Sequence, residues 1–375
     1  MSIGVQIVTV EGGSELRDFI DLPWKLYAGY PNWVPPLKKE VRRMLEPGKH
    51  PFWEFSERVL FLARHGSRSV GRIAGIIDSR NNEYHGEKAG VWGFFECADD
   101  PEAAAALFAS VEKWLFAKGM TFLRGPLSPS TNYESGVLIE GFEYLPALTM
   151  SYNPPYYPAL IEACGFAKEK DLLAFLIDNA YQLPDWMESL ADRITRKKGI
   201  RIRPFRPKEE DAEFDLILDI YNDSWAGNWG FVPLTGPEMR DIQKSVMPFA
   251  DPDLAFFITY DDEPAAVCVI FPDINPLIKR LNGRIGLFGW LKYLLFRHEI
   301  KGLRCLMLGV KEKYRQLGIP MLAFHHIYEI ARKQKKYQYL EMGWTLEDNE
   351  SINTLIEEAG ARMYKKYRIY RKSLV

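Results

Sequence analysis

Arg315 and Gly318 stand three residues apart between two contrasting sequence patterns. Before them, Cys305 to Val310 (CLMLGV) is a short apolar run of the kind a buried strand shows. After them, Met321, Leu322, Phe324, Ile327, Tyr328 and Ala331 recur at helical spacing, and Pro320 suits the first turn of a helix. A helix start offers unpaired N–H groups, a glycine lets backbone approach a ligand, and an arginine supplies a fixed positive charge. The three together read as a pyrophosphate cradle, with an ordinary strand-to-helix turn as the bland alternative. A second group lies in a polar, turn-rich stretch, LSPSTNYESG, which holds Asn132, Tyr133 and Glu134, followed by an aromatic run that begins at Tyr152. Long loops of this composition bind substrates or clamp domains.

The 305–375 stretch resembles the GNAT superfamily of acyl-CoA-dependent N-acyltransferases. Its motif [QR]-x-x-G-x-[GA] is matched by Arg315-x-x-Gly318-x, with Pro320 in place of the last small residue. Asn349, Ile352 and Gly360 repeat the spacing found on the family's helix before the last strand. The resemblance implies an α+β (mixed α/β) fold with mostly antiparallel sheets flanked by helices. It also implies acetyl-CoA or a longer acyl-CoA as cosubstrate, no metal, and direct attack by a primary amine in a ternary complex. Carried over by position, CoA would meet Leu308, Gly309 and Val310 on the strand, then Arg315, Gln316, Leu317, Gly318, Ile319, Pro320 and Met321, and also Asn349. The strand-four backbone would polarise the thioester carbonyl. Glu341, which shares a face with Tyr339 on a strand at about 337–343, is the candidate base, its bland reading being a solvent-facing carboxylate. Ile356 stands where the family often has its tyrosine acid, so Tyr364 is the candidate acid, with Tyr367 beside it. Asn132, Tyr133, Glu134 and Tyr152 are expected on the acceptor side.

The elements that must position these residues occur twice. At an offset of 195, Val5-Gln6-Ile7 falls on Ile200-Arg201-Ile202, and the hairpin pattern 58–78 falls on 253–273. The same offset carries Ile161–Gly165 onto Ile356–Gly360, while Met120–Leu123 meets Tyr337–Leu340 at an offset of 217. Two tandem GNAT-like domains follow: 1–179, then a linker helix at 180–199 opened by Pro184, then 200–375. The first half lacks Arg-x-x-Gly and has Asp99-Asp100 where phosphate would rest, so it reads as a degenerate copy whose aspartates cap a helix. The order of segments is similar to a bacterial family of tandem GNAT-like proteins.

Composition sets the outer bounds. The chain has 375 residues, 47% hydrophobic and 26% charged, with a net charge of −2. That suits a globular protein of two or so domains and gives nucleic acid no basic surface to hold. Four scattered cysteines read as buried thiols in a reducing compartment, so a cytoplasmic protein is expected. The N-terminal residues lack a signal-peptide pattern, and the longest apolar run is too short to span a bilayer. Residues 277–304 mix leucines and aromatics with seven basic residues and one acid. This is the composition of an interfacial membrane segment, and equally of a helix that caps the core of the first half with its basic face in water. The partners implied are a small-molecule or lipid amine, with an acyl carrier protein as a second thioester source. A non-catalytic GNAT-fold binding protein is the rival reading.

Overall fold

The computed structural model describes residues 4–178, 181–286 and 289–374. The first half of the chain runs β1 (Val5–Thr9), α1 (Gly13–Leu26), α2 (Lys38–Leu45), β2 (Ser56–His65), β3 (Arg68–Asp78), α3 (Ser79–His85), β4 (Ala89–Cys97), α4 (Pro101–Ala117) and β5 (Phe122–Gly125). It continues through β6 (Leu127–Ser128), β7 (Glu134–Ser135), β8 (Val137–Glu140), α5 (Tyr157–Ala163) and β9 (Ala167–Asp178). The second half opens with α6 (Asp185–Thr195), β10 (Ile200–Pro204), α7 (Glu210–Trp225), α8 (Gly236–Val246), β11 (Ala255–Tyr260) and β12 (Glu263–Pro272). It ends with α9 (Asn275–Leu281), α10 (Gly289–Phe296), β13 (Gly302–Val310), α11 (Ile319–Lys333), β14 (Tyr339–Leu346), α12 (Glu350–Glu358) and β15 (Arg362–Ser373).

Local sequence explains the main elements. Asp100 caps α4 by accepting the Ala103 N–H at 3.0 Å, and Pro101 opens the first turn. Ala104, Leu107, Phe108, Val111 and Leu115 then fall on one buried face. Thr235 and Glu238 form a capping box at α8.

The internal repeat is visible in the strand registers. Val5 pairs with His65 and Ile200 with Tyr260, so both partners keep the 195-residue offset. The first hairpin bulges between Ala63 and Arg64, and its copy bulges between Ile258 and Thr259, at the same offset again. Each half is an α+β unit whose first four strands are antiparallel and whose fourth and fifth are parallel.

The compact units do not follow the contiguous boundaries expected from the sequence. Unit 1 comprises residues 1–172, 275–295 and 365–375; unit 2 comprises 173–274 and 296–364. Unit 1 has strand order β1-β2-β3-β4-β5-β15, and unit 2 has β10-β11-β12-β13-β14-β9. The last strand of each half therefore completes the sheet of the other. Tyr370 to Ser373 pair antiparallel with Gly125 to Phe122, and Arg368 forms two bonds to Asp171 at 2.8 and 3.0 Å within unit 1. Tyr370 is fully buried in the core of unit 1, and Phe175 in that of unit 2. Burying one such side chain is worth about 1.5–3 kcal/mol, enough to hold an exchanged strand in place.

The 277–304 segment is not a single amphipathic helix. It forms α9, α10, a one-turn 3-10 helix at Arg297–Glu299, and the first residues of β13. Leu287 and Phe288, and the side chain of Trp290, lie outside the described residues, as do Asn179 and Ala180 at the expected domain boundary. Arg304 belongs to the buried sheet of unit 2 and not to a wet basic face. No helix among the described residues is long and apolar enough to cross a membrane.

Candidate functional site

The densest cluster of buried chemistry lies in unit 1. Arg72 on β3 and Glu96 on β4 are cross-strand partners, with Nη2 to Oε1 at 3.5 Å. Beyond Arg72 the register shifts, and Phe94 adopts a left-handed φ of 50°. That bulge bends β4 just where its parallel pairing with β5, which covers Ala89 to Val91, comes to an end. Glu96 Oε2 accepts two phenol hydrogens, from Tyr27 and from Tyr157, each at 2.7 Å. The Tyr157 oxygen in turn accepts the Cys97 N–H at 2.9 Å. Arg72 donates through Nη1 to the Phe19 carbonyl at 2.6 Å.

Tyr27 caps the C-terminus of α1, Tyr157 begins α5, and the charges come from adjacent strands, so four elements converge on one carboxylate. Burial pushes the Glu96 carboxyl up, and Arg72 and the two phenols only partly offset this. Burial, reinforced by Glu96, drives both phenols well above their usual range.

Glu134 borders this cluster. Its carboxyl is pushed up to about 7, first by loss of hydration and then by the Glu96 charge, with Arg72 opposing. Its surface is nevertheless open to solvent. Water reaches Glu134 from one side while the buried pair beside it replaces hydration on the other. Two neighbouring carboxyls both raised by burial, one of them to about 7, form a proton-handling arrangement. An aromatic wall flanks the cluster. Tyr27 stacks on Trp33 at 4.7 Å, Trp24 meets Trp33 edge-on at 5.3 Å, and Tyr152 lies 6.4 Å from Tyr27.

Of the four residues expected on the acceptor side, Glu134 and Tyr152 border this cluster. The Tyr152 carbonyl lies 3.1 Å from the Tyr27 hydroxyl. Tyr133 instead packs edge-on against His50 and Phe52, and the Asn132 N–H donates to Ser130 in the tip of the β6–β7 hairpin.

In unit 2, β13 and β14 pair from Gly302–Tyr339 to Cys305–Met342 and then diverge, so Leu308, Gly309 and Val310 pair only with β12 in the register. The fourth and fifth strands of unit 2 thus part beyond Cys305 and Met342. Other features of unit 2 differ from expectation. Glu341 is fully buried and its carboxylate is held by Arg304, which also donates to the Gly343 carbonyl at 2.9 Å. The expected base, with its solvent-facing alternative, is thus a sealed ion pair at a point where the strands are still joined. Arg315 donates to the Ser224 carbonyl at 2.6 Å and to that of Val310 at 3.4 Å. Gly318, at φ 82°, faces Ile194 of α6, whose Cδ1 would lie 2.6 Å from an added Cβ. The glycine is required by the left-handed turn and by close packing of α6, where a ligand phosphate was expected.

Gln316 and Leu317 lie in a 3-10 turn whose last carbonyl, that of Leu317, accepts from Lys197. Ile319 and Met321 turn into the core of unit 2, and Pro320 stands in the first turn of α11. Asn349 occupies the N-cap of α12 without a side-chain cap bond, and Tyr364 is buried.

Tyr27, Arg72, Glu96 and Tyr157 were not among the expected residues. A signal was present: Arg72 is a lone charge within SVGRIAGII, and Glu96 a lone charge within VWGFFEC. A charge inside an otherwise apolar strand has to find a partner, because burying it alone is prohibitive.

No protein-family model matches the chain. The chain is 35% identical over 381 residues to the bacterial ceramide synthase of Caulobacter vibrioides, covering 99% of this chain and 98% of that one. It is 34% identical over 372 residues to protein YghO of Escherichia coli, covering 96% and 93%. Among solved structures, a tandem GNAT protein from the clavulanic acid biosynthesis pathway superposes over 99% of both chains with a TM-score of 0.57 and 11% identity. That likeness establishes the tandem GNAT fold.

Proposed function

Starting from a chain that belongs to the family of bacterial ceramide synthase and protein YghO, we propose that it is an N-acyltransferase for a long-chain primary amine. The acyl donor is a thioester of CoA or of a carrier protein. The observation that carries this reading is Glu134, with its carboxyl at about 7, beside the buried Arg72–Glu96 pair and an aromatic wall. An amine arrives as an ammonium ion. Carboxylates and aromatic faces are the groups that attract an ammonium and its apolar stem. Glu134 accepts the proton and frees the nitrogen lone pair for attack on an acyl thioester. The new C–N bond forms, the C–S bond breaks, and the thiolate leaves to take up a proton. Negative charge on Glu96 raises the basicity of Glu134.

Taken within unit 2 alone, residues 308–321 and Asn349 remain a proposed seat for CoA, with one change of emphasis. Arg315 is committed to protein carbonyls, so backbone N–H groups would carry the phosphates. Those same contacts favour the second reading, a GNAT-fold protein that binds a ligand without turnover.

The test is amide formation from palmitoyl-CoA and a long-chain amine, followed by mass spectrometry across pH. The wild-type rate should climb through about pH 7 as Glu134 loses its proton, and Glu134→Gln should be flat with pH and slower by about 10²-fold or more. Amide formation that is indifferent to Glu134→Gln would remove the base assignment. CoA binding without product from any amine would favour the second reading.

A further inference from the structure

The second-half insertion does not stay with the second half. Residues 275–295 fold into unit 1, against the loop that follows α1. The Asn275 side chain donates to the Pro146 carbonyl at 2.7 Å, and Lys279 donates to the Pro31 carbonyl. Trp24 Nε1 donates to Asn282 Oδ1 at 2.9 Å, and the Lys38 N–H to the Gly283 carbonyl at 3.0 Å. Gly283, at φ 81°, lies so close to the Trp24 ring that a Cβ would sit 2.3 Å from it. Trp24 is in edge contact with Trp33, the ring stacked on Tyr27. The segment is thus bolted to the aromatic wall formed by Trp24, Trp33 and Tyr27.

From that anchored base the chain turns its apolar residues outward. Ile285 is 62% exposed, Leu294 47% and Leu295 57%, with Leu291 and Tyr293 also open. Half of the ten large exposed hydrophobic residues of the described chain fall in these eleven positions. Residues 275–295 carry Lys279, Arg280, Arg284 and Lys292, all exposed, and no acid.

We propose that this segment docks the protein on a bilayer with anionic headgroups, with its leucines in the interfacial layer and its basic side chains at the phosphates. Five consecutive residues, 291–295, are exposed, so α10 projects with both flanks open. A flat protein partner would cover one flank; immersion in a headgroup layer covers both. Exposed apolar side chains together with a net positive charge give the two-signal combination that peripheral binding needs. The acidic surface of a carrier protein would pair with the basic residues and leave the leucines in water. Docking here sets the aromatic wall next to the lipid surface, whatever amine the protein takes.

The experiment is sedimentation of the full chain with vesicles of phosphatidylcholine alone and with phosphatidylglycerol added, in the absence of any amine or thioester. Binding and turnover are thereby read separately. The wild type should pellet only with the anionic vesicles and be released by salt. Arg284→Gln with Lys292→Gln should bind about 30-fold more weakly, at about fivefold per basic residue. Leu291→Ser, Leu294→Ser and Leu295→Ser together should abolish pelleting with an unchanged thermal melt, since all three side chains are exposed. If the triple variant melts early, the charge variant decides. A wild type that stays in the supernatant with both vesicle types overturns the proposal. So does a triple variant that pellets like wild type, or one whose only defect is in self-association or carrier-protein binding.

Discussion

The two units share strand order, register and even a bulge, yet they bury different charges where the fourth and fifth strands part. At the same place on the fifth strand, unit 1 has Arg124, paired with Glu87 at 2.9 Å, and unit 2 has Glu341, paired with Arg304. The sign is reversed and the partner sits differently: Glu87 precedes β4, whereas Arg304 lies in β13 directly across from Glu341. Only unit 1 adds a second set further along, with Arg72, Glu96, two phenols and a carboxyl that titrates near neutrality. A buried charge with a partner reports architecture. A second carboxyl crowded by the first reports chemistry. Copies of one fold have divided these tasks, and the copy with the more legible motif is not the one with the clearer proton-handling group.

The largest break would come from ending the chain at Tyr364. That removes the strand paired to β5 and the fully buried Tyr370, and residues 1–172 should become a protease-sensitive, poorly soluble unit. A cooperative melt within a few degrees of wild type would show that the exchange is dispensable.

Next in size, Arg304→Met leaves Glu341 buried without its cation and should cost about 3–5 kcal/mol in urea unfolding. Adding Glu341→Leu should return most of that loss, because an apolar pair of similar volume suits the site. If the double variant is no more stable than the single one, the architectural role of the pair fails.

A smaller effect sharpens the other side. Glu96→Gln removes the charge that helps raise Glu134 and leaves Arg72 to pull it down. The pH–rate limb should therefore move below 7, by about one unit. An unmoved limb would uncouple the two carboxyls.

The smallest is Gly318→Ala. A left-handed φ costs an alanine about 1–2 kcal/mol, and Ile194 crowds the new methyl, so thermal unfolding should fall by a few degrees. If CoA affinity falls while the melt does not move, Gly318 would be a ligand contact after all.

Much of the architecture could be read from the residues, because strands and helices are written locally. The 195-residue offset between Val5 and Ile200 carried through to the registers, and Pro101, Pro184 and Pro320 mark helix starts in the folded chain. The strand exchange was hidden, since apolar alternation in β9 and β15 states that each is buried but not which neighbour buries it. The burial of Glu341 is not legible in the sequence for a similar reason. Alternation groups it with Tyr339, yet the opposing Arg304 that seals it lies 37 residues earlier on another strand. The cluster of unit 1 draws Tyr27, Arg72, Glu96 and Tyr157 from across 130 residues with no motif linking them, and its trace was two lone charges in apolar strands. The Arg-x-x-Gly turn drew attention through its pattern, but in the folded chain its glycine answers to φ and to Ile194.

The exchanged last strand also sets an order of events during synthesis. While the ribosome is still extending the second half, β5 and β8 of the first present open edges, and the seat of Tyr370 is empty of its ring. Unpaired edges of this kind invite association with other nascent chains. The cluster around Glu96 therefore rests on a sheet that is finished only when residues 366–373 emerge. A stop codon at position 365 would release a chain lacking the strand that the first unit needs.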